Sequence, residues 1–150
     1  MDQTTSITIE NTINAPLEKV WEFWTDPKHI VNWAFASADW EAPIAENDVR
    51  SGGRFKTVMA AKDKSASFDF AGTYTNIKER ALIEYDMERD LSPDNFEAVS
   101  RHVKITFTQL PEGTHVVQTF DIEKINPVEM QRNGWQAILD NFKKYVEHNQ

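Results

Sequence analysis

The sequence contains no cysteine, which excludes disulfides, thiolate nucleophiles and cysteine-held metals. Basic residues are the minority, 16 Lys and Arg against 24 Asp and Glu, for a net charge of −8. Nucleic-acid binding is therefore not expected, because neutralising phosphates takes a concentrated basic surface. An anionic membrane surface is disfavoured for the same reason. Histidines number four, and none is spaced with another His or a Glu as a zinc-ligand set. Glycines number five, with no phosphate-cradling loop and no dinucleotide fingerprint. No serine sits in a nucleophile-elbow motif. No metal and no cofactor is expected. No run approaches the roughly 18 apolar residues of a membrane-spanning helix. Residues 1–5 lack a basic stretch followed by an apolar run, so no secretory signal and a cytoplasmic location are expected.

What is present suits one globular domain of 150 residues. Such a domain buries about 68–70% of its unfolded-chain surface, enough for a full core. Five tryptophans and nine phenylalanines point to a core of large rings.

Residues 6–14 alternate Ile7, Ile9 and Ile13 with Thr8, Glu10 and Thr12, a strand with one buried face interrupted at Asn11. Pro16 then opens a helix carrying Val20, Trp21 and Trp24, which ends at Thr25. Asp26 caps a second short helix that starts at Pro27 and runs to about Trp33. Residues 34–52 read as irregular, with a short extra strand near 48–51 as an option. Five strands follow in meander order, over 54–61, 65–78, 81–88, 99–110 and 114–125. Residues 89–98 form the longer loop, and Pro111-Glu112-Gly113 signals a hairpin. A last helix spans about 127–148, with Asn126 as N-cap and Pro127 at its first position. Trp135, Ile138, Leu139, Phe142, Tyr145 and Val146 make its apolar stripe. Arg132, Gln136, Asp140, Lys143 and Lys144 fill the other face, with Asp140 and Lys144 spaced as an ion pair. Neighbouring strands on short turns make an antiparallel sheet, and this helix can cover its apolar face. The expected class is α+β.

Ile13-Asn14-Ala15-Pro16 with Val20-Trp21, Thr25-Asp26-Pro27 before Trp33, Gly52-Gly53-Arg54-Phe55, Gly72-Thr73-Tyr74, and Gly134-Trp135 form an ordered set. Together they resemble the helix-grip fold of the SRPBCC (START-like) superfamily, over almost the whole chain. More narrowly, they resemble the domain related to the C-terminal part of the activator of the heat-shock-protein-90 ATPase. That resemblance implies a strongly curved antiparallel sheet around a long C-terminal helix, with two short helices after the first strand. It also implies a cavity between sheet and helix.

Strand parity supplies the lining. The expected ligand-facing residues are Phe55, Thr57, Met59, Phe68, Phe70, Tyr74, Tyr85, Met87, Phe107, Gln118, Phe120, Met130, Trp135 and Ile138. Tyr74, Tyr85 and Gln118 would orient a ligand by hydrogen bonds, and a bulky replacement of Gly72 would block the space. Phe35 and Trp40 are candidates to cap its mouth. Arg54, Asp69, Glu84 and His102 fall on the opposite parity, where no general acid or base could reach a ligand. The expected function is non-catalytic binding of an apolar or amphipathic small molecule. Two alternatives remain: a chaperone-regulating or other protein-interaction module, and a cyclase- or hydrolase-type enzyme using the same cavity.

Overall fold

The isoleucine alternation at the start of the chain forms β1, Ser6–Ile13. The computed structural model describes residues 6–35, 37–87, 101–122 and 127–149. Pro16 holds extended backbone (φ −66°, ψ 150°) and stands as N-cap of α1, Leu17–Thr25, one position earlier than expected. It has no side chain to cap with, so the first helical N–H, that of Leu17, donates to the Gln109 side chain (2.8 Å). Asp26 caps α2, Pro27–Ile30, by accepting from the Lys28 amide. This helix ends before Trp33 and continues as turns.

The remaining strands are β2 (Trp40–Asn47), β3 (Arg54–Ala61), β4 (Ser67–Lys78), β5 (Leu82–Met87), β6 (His102–Leu110) and β7 (Gly113–Asp121). The last element is α3, Val128–His148. Asn126, the loop over 89–98 and the ends expected at 99 and 125 lie outside the described residues. All strands join one antiparallel, seven-stranded sheet in the order β1-β7-β6-β5-β4-β3-β2. β2 corrects the irregular reading of 34–52. Its register shifts between Glu41 and Ile44, and this bulge breaks the alternation by which a strand is recognised. Pro43 is tolerated because β2 is an edge strand.

The other edge is β1, and α3 closes it. Arg132 donates to the Thr8 carbonyl (3.3 Å), Gln136 to that of Glu10 (3.3 Å) and Lys143 to that of Thr12 (2.7 Å). Glu147 accepts from the Asn14 amide (2.9 Å). Alternate residues of the edge thus meet α3 side chains spaced by four, seven and four residues, one or two helical turns apart. The polar stripe stands in for a missing strand and shields the edge from pairing with another chain. The face opposite the apolar stripe thus closes an edge, through Arg132, Gln136, Asp140 and Lys143. Asp140 accepts from Asn11 and Gln136, and Lys143 pairs with Glu147 (2.6 Å). The polar break at Asn11 in β1 is therefore answered by a partner on α3.

Opposite that stripe, Leu139, Phe142 and Val146 are fully buried. α3 packs its backbone closest on β1 and α1. Aromatic rings lie between it and the middle of the sheet.

Candidate functional site

The inner face carries two groups of rings. The first lies beneath α1 and α2. There Phe142 meets Trp24 and Trp33 edge-on at 4.8 and 4.7 Å, and Phe107 meets Trp21 at 5.3 Å. Trp33 Nε1 donates to the Phe23 carbonyl, and Asn141 donates to the Trp33 and Phe35 carbonyls. These bonds join α1, the turns after α2 and α3. Phe107 belongs here, packed against α1, and not with the other expected ligand residues. Phe35 is tied to the same end through Asn141. Trp40 opens β2 and packs half-buried against the core.

The second group lies over β3, β4 and β5. Phe55 touches Tyr85 (4.7 Å), Tyr74 (5.1 Å) and Phe70 (5.6 Å). Phe70 meets Trp135 edge-on at 5.8 Å, and Trp135 stacks on Phe120 at 3.9 Å and 12°. Strand alternation aims Phe55, Thr57 and Met59 of β3 to this side, with Tyr85 and Met87 of β5 and Gln118 and Phe120 of β7, all buried. Phe70, Trp135 and Ile138 are half-buried against them. The backbone of Phe68 lies in β4 and pairs with Met59.

Met130 does not join this group; it is 61% exposed. Helical phase explains the correction: Gln131, four residues before Trp135 and eight before Leu139, takes the inward position and is buried.

The polar members differ sharply. The Tyr74 hydroxyl donates to Asn47 Oδ1, and Asn47 donates to the Thr25 carbonyl (2.7 Å). This chain ties β4 through β2 to the end of α1, so the Tyr74 proton is already committed. The hydroxyls of Thr57 and Tyr85 and the amide of Gln118 have no hydrogen-bond partner among the described residues. Yet, among those residues, every side-chain N or O that is sealed from solvent has a partner. The three tips are therefore not sealed from solvent. Burial pushes the Tyr85 phenol well above its ordinary range, so it stays a neutral O–H donor.

One inner-face residue escaped the sequence reading. Register pairs Asp86 with His102, and the next amide, Met87 N–H, donates to the Arg101 carbonyl (2.8 Å). Arg101 thus sits opposite Met87, on the parity of Val103 and Ile105. Its charge acts on Tyr85. The signal was present in the sequence, two residues ahead of Val103.

On the outer face, His102 Nδ1 contacts Asp86 (2.8 Å) and Nε2 contacts Glu84 (3.4 Å). The hydrogen bond His102 donates to Asp86 raises its pKa above the ordinary value; burial opposes this, and the charges of Asp86 and Glu84 add to the rise. A raised folded-state pKa contributes stability that is complete below the unfolded value of about 6.5 and is lost as pH rises through the folded value. His102 and Asp86 are 42% and 48% exposed, so the effect stays below about 1 kcal/mol. Thermal melts between about pH 5 and pH 9 should show the deficit of Asp86→Asn largest at the acidic end. A deficit independent of pH would dissociate His102 from it.

The curved sheet gripping a single long helix defines the helix-grip class. Residues 14–147 match the family described as Activator of Hsp90 ATPase homolog 1-like protein. The chain belongs to that family, whose fold commonly binds hydrophobic ligands. An AHSA1-like protein from Aeromonas hydrophila, solved by NMR, is 42% identical over 95% of this chain and 92% of its own, with a TM-score of 0.83. Chr148 from Cytophaga hutchinsonii is 46% identical over 96% and 93%, with a TM-score of 0.76. CV1439 from Chromobacterium violaceum, 24% identical over 95% and 97%, shares the fold at a TM-score of 0.83. No curated protein matches the chain. No helix among the described residues is long and apolar enough to cross a membrane.

Proposed function

We propose that this chain binds an apolar or amphipathic small molecule, without transforming it, between the inner face of β3–β7 and the N-terminal half of α3. One observation carries the reading: Thr57, Tyr85 and Gln118 present unpartnered polar tips within a wall of rings and aliphatic side chains. A solid core would leave such groups paired or replace them by apolar ones. A ligand site combines a mostly apolar lining with a few polar groups of this kind. Burial of ligand surface would supply about 25 cal/mol per Å². The described inner-face positions of β3–β7 carry no carboxylate and no imidazole, the usual acids and bases of catalysis.

The test is binding of N-phenyl-1-naphthylamine, a neutral apolar probe, followed by fluorescence. Thr57→Phe adds a ring at an unpartnered polar tip of the proposed site. It should weaken the probe about tenfold or more while leaving the protein as stable as before, since each 1.4 kcal/mol is a factor of ten. In a solid core the same change would cost about 1–3 kcal/mol by overpacking. Undiminished probe binding by a stable Thr57→Phe protein would refute the site.

A further inference from the structure

We propose that the occupant of this ring-lined basin is a neutral carbonyl compound, its oxygen accepting a hydrogen bond from Tyr85 and its apolar body lying against Phe70 and Trp135. This rests on the binding reading above and names the chemical class of the ligand. Tyr85, Thr57 and Gln118 are almost wholly buried, at 5%, 6% and 5% exposure, yet their polar tips have no partner among the described residues. Those tips are not sealed from solvent, so water can answer them when no ligand is bound. A ligand that displaces this water must return its hydrogen bonds or lose affinity, and a pure hydrocarbon returns none. A carboxylate would need a cation, because an ionised group is costly to bury unpaired. Among the described inner-face residues that cation is Arg101, which already has a partner. A neutral oxygen acceptor is what remains. Burial keeps the Tyr85 phenol protonated, so its O–H is there to donate. A carbonyl brings lone pairs and no proton of its own, whereas an alcohol brings a second donor that also needs a partner. Phe55 and Phe70 pack on the Tyr85 ring at 4.7 and 6.1 Å, and Phe70 leads on to Trp135 at 5.8 Å. Phe70 and Trp135 are only half-buried, so they keep ring surface for the body of the molecule. Register separates this head group from the other tips. Gln118 lies two strands and two residues from Tyr85, about 12 Å along the sheet, and Thr57 lies further. One carbonyl therefore meets Tyr85 alone.

The experiment compares 2-acetylnaphthalene, 2-isopropenylnaphthalene and 2-naphthoate as competitors of N-phenyl-1-naphthylamine at neutral pH. The three share one ring system and differ only in a ketone, its hydrocarbon isostere and a carboxylate. The ratio of two inhibition constants does not depend on the affinity of the probe, so it isolates the head group. In the wild-type protein the ketone should compete about fivefold or more tightly than the hydrocarbon, as for one hydrogen bond to a buried donor. The carboxylate should compete worst of the three. Tyr85→Phe keeps the ring against Phe55 and removes the hydroxyl, and it should bring the ratio of ketone to hydrocarbon close to one. The wild-type comparison needs no variant, so a folding defect in Tyr85→Phe leaves it decisive. Equal or weaker competition by the ketone in the wild type, with the probe bound, would overturn the carbonyl proposal and leave the binding site standing. So would tightest competition by the carboxylate, or a ketone preference that survives Tyr85→Phe. Failure of the probe and of all three competitors to bind would remove the binding reading and this inference together.

Discussion

Phe142→Ala is expected to cost about 3–5 kcal/mol of folding stability, a large share of the 5–15 kcal/mol that holds an ordinary domain together. The ring is completely buried and lies edge-on against Trp24 and Trp33. Truncation removes the transfer energy of the ring and leaves a hole between α1, α2 and α3. The tryptophans around it cannot collapse freely, because Trp33 Nε1 is tethered to the Phe23 carbonyl and Asn141 pins the Trp33 carbonyl. Urea unfolding should show a lower midpoint at unchanged slope, which separates lost stability from an altered denatured state. Phe142→Leu should recover more than half of the loss. Because this cluster lies beneath α1 and α2, apart from the rings over β3–β5, the folded fraction of Phe142→Ala should bind the neutral probe with wild-type affinity. A loss below about 1 kcal/mol would mean that the three helices are not joined through this ring.

The strands with strict alternation were readable from the sequence because burial of one face dictates residue type at every second position. Residues 54–61 show this best: Phe55, Thr57, Met59 and Ala61 are all buried. β2 was not readable, since a bulge and Pro43 erase the period that would reveal it. The edge-closing role of α3 was invisible for a different reason. Arg132, Gln136 and Lys143 look like any solvated helical face, and only the placement of β1 beside them turns their donors toward open carbonyls. Met130 against Gln131 shows the limit of helical phase near an end, where one residue's rotation decides which side chain is covered and hydrophobicity points the wrong way. In the candidate site, parity correctly gathers Phe55, Tyr85 and Phe120 onto one face. It cannot say which polar tip is already spent: the Tyr74 proton goes to Asn47, a residue in the unread strand. Arg101 was legible by the same parity, two positions before Val103.

Two glycine-to-alanine changes should move stability in opposite directions. At Gly72 a Cβ would stand 2.5 Å from the Asp86 carbonyl oxygen and 2.9 Å from a Phe55 ring carbon. The first neighbour is backbone of the adjacent strand β5, which cannot swing away without loosening the β4–β5 ladder. Gly72→Ala should therefore cost about 1–3 kcal/mol by overpacking. At Gly134, inside α3, nothing lies within 4 Å of the same added carbon. There alanine restricts the unfolded chain and favours the helix, so Gly134→Ala should gain about 0.5–1 kcal/mol. The chemistry of the two substitutions is identical, and the difference between their urea midpoints reports the environment alone. A bulky residue at Gly72 was expected to plug the ligand space. The close approach of Asp86 means that any side chain there acts first on the sheet. Its second effect falls on Phe55, which would be pushed toward Tyr85 and into the basin. Gly72→Ala should then weaken N-phenyl-1-naphthylamine binding as well as folding, whereas Gly134→Ala should leave the probe unaffected. If both variants shift stability the same way, the contact between Phe55 and the Gly72 backbone does not shape the floor of the site.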